Sequence, residues 1–200
     1  GYHGMNIGCI SVGGMINNVK TFASVLMPGV QHMRHTHLPE HKFVSGQPET
    51  GADRADDLER IAMNFGPENI AACIVEPIAG STGTLVPPKG YLQKLRDTCD
   101  KHGILLIFDE VITGWGRTGS SFASIEYGVT PDIMTMAKAT TNGVVPMGVV
   151  ACNDSIYEAV MDASPTGAVE LFHGYTYSGI PVAVAAALAV QDIFEKDDIF

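Results

Sequence analysis

The sequence has 200 residues, of which 46% are hydrophobic and 17% charged, with a formal net charge of −10 at pH 7. That length can bury one sizeable hydrophobic core. An acidic chain with no run of Lys and Arg argues against a nucleic-acid partner and against a polybasic membrane patch, and the longest apolar stretch, residues 182–190, is too short to span a bilayer.

Cys9, Cys73, Cys99 and Cys152 share no metal-type or redox-type spacing, so reduced, buried thiols in a cytoplasmic protein are expected. The chain opens on Gly1-Tyr2-His3-Gly4 without an initiator Met and stops at Phe200 directly after a helical pattern, which suggests a segment of a longer protein.

In chain order, Leu58, Ile61, Ala62 and Phe65 fall at helical spacing, so residues 54–65 read as an amphipathic helix stopped by Gly66-Pro67. The apolar run 70–75 reads as a buried strand ended by Glu76-Pro77, followed by a Gly- and Pro-containing loop. Tyr91, Leu92, Leu95 and Cys99 mark a second helix, ended at His102-Gly103. Residues 104–108 form the clearest buried strand, with shorter strands at 133–136 and 147–151. A helix follows at 155–161, and Ser178 is the expected N-cap of an Ala-rich helix over 181–194. Helices alternating with strands predict an α/β domain whose sheet is mostly parallel or mixed. Ligands of such sheets gather at the carboxyl ends of strands, where Asp109 and Lys138 stand.

Three chemistries compete for Asp109. As a Walker B acid it needs an upstream phosphate loop, but the nearest candidate, residues 14–21, has Val19 in place of the second glycine, and no apolar strand precedes Gly14. Gly114-Trp-Gly116-Arg-Thr-Gly119 matches a dinucleotide fingerprint literally, yet Val111-Ile112-Thr113 separate it from the acidic pair and residues 120–127 make a poor helix. A pyridoxal-phosphate (PLP) site needs a lysine amine to hold the aldehyde as a Schiff base and an anion against the pyridine nitrogen. Asp109 and Lys138 could supply both. Lys138 lies in a stretch without other charges, where desolvation would favour its neutral, nucleophilic amine. Spacing alone favours the plainer reading, a lysine at a strand end reaching into solvent.

Three blocks favour the third reading: Ile74-Val-Glu76-Pro-Ile-Ala-Gly80-Ser-Thr-Gly83, Phe108-Asp109-Glu110-Val111-Ile112-Thr113-Gly114-Trp-Gly116-Arg117-Thr118-Gly119, and Pro131-Asp132-Ile-Met-Thr-Met-Ala-Lys138. With Asn142-Gly143, Pro146-Met147-Gly148, His173-Gly174-Tyr175-Thr176-Tyr177-Ser178 and the opening Tyr2-His3-Gly4, the chain resembles the class III (ω-amino acid:pyruvate type) PLP-dependent aminotransferases over essentially its whole length. The resemblance implies PLP-dependent transferase fold type I, with residues 1–200 forming part of the PLP-binding large domain. The phosphate turn would lie upstream and the small domain with its carboxylate-binding arginine downstream.

It further implies that Lys138 carries the cofactor, that Asp109 pairs with its pyridine nitrogen, and that Tyr2 and Val111 cover its two faces. His3, Glu76 and Ile112 would belong to the cofactor surroundings, Ile112 standing where some relatives carry glutamine. Thr176 would reach the phosphate in a neighbouring subunit, implying a homodimer or a dimer of dimers. Ser81 replaces the glutamate of ornithine- and GABA-type relatives, which points to transfer from an ω-amino acid or amine to pyruvate by a ping-pong mechanism. The alternatives are a 2-oxoglutarate-using class III transaminase, an aminomutase, or a non-catalytic fragment of the fold. His32, His35, His37 and His41 have no finger-like spacing, so a solvated loop and no metal are expected.

Overall fold

Four strands form one sheet in the order β1-β2-β3-β4 in the computed structural model, which describes residues 1–200. The strands are β1 (Ala72–Val75), β2 (Leu105–Asp109), β3 (Ile133–Met136) and β4 (Val149–Cys152). β1, β2 and β3 run parallel, with Val75 opposite Phe108 and Asp109 opposite Thr135. β4 returns antiparallel, Met136 facing Val149. The expected α/β architecture with a mostly parallel sheet is therefore present.

Helices α1 (Ile7–Val12) and α2 (Ile16–Thr21) precede α3 (Asp56–Phe65); α4 (Tyr91–His102) connects β1 to β2. α5 (Ala123–Glu126) lies between β2 and β3, and α6 (Asp154–Asp162) and α7 (Pro181–Lys196) complete the chain. α4 packs on β2, and α3 packs on α4. Leu58, Ala62, Leu95 and Cys99 thus join Cys73, Leu106 and Phe108 in one buried cluster. Leu106 and Phe108 alternate with the half-buried Leu105 and Ile107, the period of a strand whose two faces meet different surroundings. α4 ends as expected: Gly103 takes the left-handed conformation (φ +67°) and its N–H donates to the Cys99 carbonyl.

Polar contacts fasten this layer. Arg34 grips Asp57 of α3 through its side chain at 2.9–3.1 Å and its backbone N–H at 2.8 Å. The Arg34 side-chain hydrogen bond holds the Asp57 carboxyl down at about 2. Arg96 of α4 bonds Asp132 at 2.8 Å, and Asp132 also accepts the Leu106 N–H at 2.7 Å, tying helix to strand ends.

Several expectations need correction. Ser178 does not cap α7: its hydroxyl accepts the Tyr175 N–H at 3.1 Å, closing its own turn, and α7 begins on Pro181 after Ile180 without a side-chain cap. Asn153 caps α6 instead, its side chain accepting the Ile156 N–H at 3.1 Å. Cys73 and Cys99 are buried, and the hydrogen bond with Cys99 together with burial pushes the Cys73 thiol well above its ordinary range. Cys152, by contrast, is exposed on the edge strand β4 and Cys9 is half-buried. His41 is buried, with its ring 3.2 Å from the Thr50 hydroxyl, whereas His32, which meets the Gly13 carbonyl at 3.0 Å, is exposed with His35 and His37 as a solvated loop requires. No three His, Cys, Asp or Glu side chains converge, and no helix is long and apolar enough to cross a membrane.

Candidate active site

Two parallel strands deliver an acid and an amine to one edge of the sheet. Asp109 is the last residue of β2, opposite Thr135 of β3, and the Glu110 N–H donates to the Thr135 carbonyl at 2.9 Å. Just past the end of β3 the chain turns through a 3-10 helix, Lys138–Thr141, that starts on Lys138. Lys138 has φ +48°, a left-handed conformation that costs a non-glycine residue about 1–3 kcal/mol and persists where the surroundings dictate it. The turn is closed by the Gly143 N–H on the Lys138 carbonyl at 3.0 Å and by the Thr141 hydroxyl on the Val145 carbonyl at 2.5 Å. Lys138 is exposed, so this chain does not supply the desolvation expected from its uncharged sequence neighbourhood. Its ammonium takes part in none of the chain's ion pairs.

Asp109 is buried and therefore needs donors. His3 supplies one, with Nδ1 2.8 Å from Oδ2, and the Val111 N–H reaches Oδ1 at 3.1 Å. Because an ionised carboxylate only accepts, the proton of this pair lies on His3 Nδ1. The His3 side chain is only 3% exposed, which locks ring and carboxylate together.

Glu76, buried at the end of β1, makes the second junction. It accepts the Tyr2 N–H on Oε1 and the Gly80 N–H on Oε2, both at 2.9 Å, joining the opening segment to the turn after β1. Ile112 packs on that turn so closely that a methyl group at Gly80 would collide with its Cδ1. Beside this contact lies an open cavity of about 490 Å³, lined also by Thr113, Arg117 and Thr118. The structure thus brings Tyr2 to Glu76, and both His3 and the Val111 N–H to Asp109, with Lys138 just past the neighbouring strand end. Thr176 is exposed in the Tyr175–Ser178 turn, and no hydrogen bond joins it to these groups.

The nucleotide-binding alternatives lack their required frame. Residues 16–21 of the phosphate-loop candidate are helical, and helix α1, not a strand, comes before them. The glycine-rich segment 114–119 is a turn folded on itself, with the Trp115 N–H on the Ser121 carbonyl at 2.6 Å, and the α5 that follows has only 4 residues. Phe200 occupies the space a side chain at Gly116 would need.

Three residues at the site had no role assigned from sequence. Glu110, 1% exposed, accepts the Thr113 hydroxyl at 2.5 Å, the Ala123 N–H at 3.0 Å and the Ser124 N–H at 2.7 Å, which folds residues 111–122 back over the end of β2. Its signal was an acid at a strand end before a Gly-rich turn, masked by its neighbour Asp109. Trp115 donates its indole N–H to the buried Thr140 hydroxyl at 3.0 Å, a contact between separate loops that leaves no local pattern.

Comparison with known proteins bears on the family and the fold. The chain is 57% identical to an omega-aminotransferase of Caulobacter vibrioides, over 100% of the chain and 45% of the relative. It is 49% identical to a beta-alanine–pyruvate aminotransferase of Pseudomonas aeruginosa, over 100% of the chain and 44% of the relative. Among solved structures, a thermostable (S)-enantioselective omega-transaminase from Thermomicrobium roseum superposes with a TM-score of 0.88 at 41% identity, over 98% of this chain and 43% of that one. The omega transaminase of Pseudomonas jessenii in complex with PMP superposes with a TM-score of 0.87 at 37% identity, over 99% and 44% of the two chains. The chain thus spans less than half the length of the relatives it matches, and its fold is that of the fold type I PLP-dependent transferases. The family described as aminotransferase class-III matches residues 1–200 from end to end, and the chain belongs to it.

Proposed function

We propose that the protein containing this chain is a PLP-dependent transaminase that moves an amino group from an ω-amino acid or amine to pyruvate. The observation carrying this reading is the pairing of a buried, histidine-locked carboxylate, Asp109, with an ion-pair-free lysine, Lys138, at adjacent parallel strand ends. The donor set fits the cofactor. A carboxylate can accept about four hydrogen bonds, and Asp109 receives one on each oxygen, leaving capacity for a protonated ring nitrogen. Lys138 offers an accessible amine for the aldehyde.

When bound, PLP supplies an aldehyde that condenses with amines and a ring that accepts the electron pair left when a neighbouring C–H bond breaks. Lys138 would hold that aldehyde. With the cofactor bound, Lys138 Nζ would be the base that takes the proton from the donor's amine-bearing carbon and the acid that gives it back. Asp109 would accept from the protonated ring nitrogen, and His3, bonded to its Oδ2, would keep the carboxylate from turning away. Glu76 fixes the backbone of Tyr2, and Tyr2 and Val111 would cover the two faces of the bound ring. On this reading the acceptor would be pyruvate, which would leave as alanine, and the kinetics would be ping-pong. Pyruvate as acceptor is supported by the Pseudomonas aeruginosa relative, named for that keto acid.

On this reading residues 1–200 form part of a PLP-binding large domain of a cytoplasmic enzyme, and Thr176, exposed on its turn, serves the phosphate of a partner's site in a homodimer. The test is borohydride reduction of the full-length protein followed by peptide mapping. A visible band bleached by reduction, with a pyridoxyl group on Lys138, is expected. Absence of the band after PLP is added to folded protein, or a label on another lysine, refutes the proposal. Replacing pyruvate with 2-oxoglutarate in the assay separates the acceptor classes.

A further inference from the structure

We propose that Trp115 is a positioning residue for Lys138, acting through the Thr140 hydroxyl; this rests on the assignment of Lys138 above. The Thr140 side chain is used in both directions. Its Oγ1 accepts the Trp115 indole N–H at 3.0 Å and donates to the Ala137 carbonyl at 3.0 Å. That carbonyl belongs to the peptide joining Ala137 to Lys138, and it also receives the Thr140 backbone N–H at 3.0 Å. The relay therefore ends on the peptide unit whose orientation sets φ of Lys138, the torsion held at +48°.

A left-handed lysine relaxes unless its neighbours over-determine it. Thr140 is 3% exposed, so water does not compete for its hydroxyl. Trp115 is itself anchored: its ring packs against Phe122 at 4.9 Å and Phe194 of α7 at 6.1 Å, and its backbone, at φ +62°, is bonded to Ser121. The folded loop behind Asp109 thereby holds the turn that carries the amine, so the two strand ends are set relative to each other by a side-chain bridge as well as by sheet pairing. Without the indole N–H the Thr140 hydroxyl loses its orienting donor, and the Ala137–Lys138 peptide gains freedom to rotate. Lys138 Nζ then samples a wider volume.

The experiment uses full-length protein carrying Trp115→Phe, which keeps the ring and removes the donor, Thr140→Val, which keeps the shape and removes the hydroxyl, both together, and Thr140→Ser. Two readouts are taken: kcat and KM of the holoenzyme for the amine donor, and, in cofactor-stripped protein, the rate of Lys138 acylation by an amine-reactive ester, referenced to Lys20 by mass spectrometry. Each single substitution is expected to lower kcat about tenfold with KM little changed, as a small misplacement of a reacting group does. Lys138 labelling should change at least about threefold with Lys20 constant, the double variant should match the singles within about twofold, and Thr140→Ser should restore both readouts. Multiplying effects in the double variant, or Lys138 labelling unchanged in both single variants, would overturn the proposal. Labelling needs neither cofactor nor turnover, so its outcome is distinguishable from failure of the transaminase assignment, which the pyridoxyl mapping reads.

Discussion

Glu110→Gln puts the buried anchor of the 111–122 loop to a quantitative test. The carboxylate accepts from three groups: the Ser124 N–H on Oε1, and the Ala123 N–H and Thr113 hydroxyl on Oε2. Glutamine keeps the shape but offers one acceptor atom. With its oxygen toward Ala123 and Thr113, its NH2 faces the Ser124 N–H; flipped, it faces the Ala123 N–H. Either way one buried backbone donor meets another donor. Losing a charge-assisted hydrogen bond costs about 1.5–3 kcal/mol and an unmatched buried donor about 1–3 kcal/mol, partly offset because a charge need no longer be buried, for a net of about 2–4 kcal/mol. Since 1.36 kcal/mol is a factor of ten, local opening, read by amide hydrogen exchange, should accelerate roughly 30- to 1000-fold at Ala123 and Ser124. Amides of β2 and α4 should change far less. Exchange at Ala123 and Ser124 within about threefold of the parent protein would refute the anchoring role.

Asp57 sets an acid limit. Its folded-state carboxyl, held near 2 by the Arg34 hydrogen bond, lies below its ordinary 3.8, so the stabilisation is fully present above 3.8 and is lost as pH falls from there through about 2. Urea midpoints across that window should fall for the parent protein and lose most of that slope in Arg34→Ala. Gly80→Ala overpacks against Ile112 Cδ1 and should cost about 1–3 kcal/mol by thermal unfolding; adding Ile112→Val, which removes that carbon, should recover most of the loss. Leu95→Ala, at a fully buried position in the α4–β2 cluster, should cost about 2–5 kcal/mol in denaturant unfolding, whereas a loss under about 1 kcal/mol would contradict its place in the core.

The predicted strands and long helices are close to those observed because their signals are local. The run 70–75 contains β1 (Ala72–Val75), and the helix stop at Gly103 is a left-handed glycine. Local signals also failed in identifiable ways. α1 and α2, with 6 residues each, and α5, with 4, are too short to show a helical period. Ser178 has the chemistry of a helix cap, but its hydroxyl is committed to Tyr175. The uncharged neighbourhood of Lys138 suggested burial, yet exposure depends on what packs around a turn, and here the amine stays open. His41 looked like a loop histidine until Thr50 and the chain near Gly51 closed over it.

By itself, the sequence determined the order of the strands and the longer helices, the placement of an acid and a lysine at the ends of two strands, and, through ordered motif blocks, the aminotransferase family. Only the tertiary structure decided which groups serve those two residues. His3 reaches Asp109 across 106 positions, Glu76 reaches Tyr2 across 74, and Trp115 reaches Thr140 across 25. Helical and strand periods report which face of an element is buried. They carry no information about which distant side chain arrives there, because that is set by strand register and by the loops that cross the sheet's carboxyl edge.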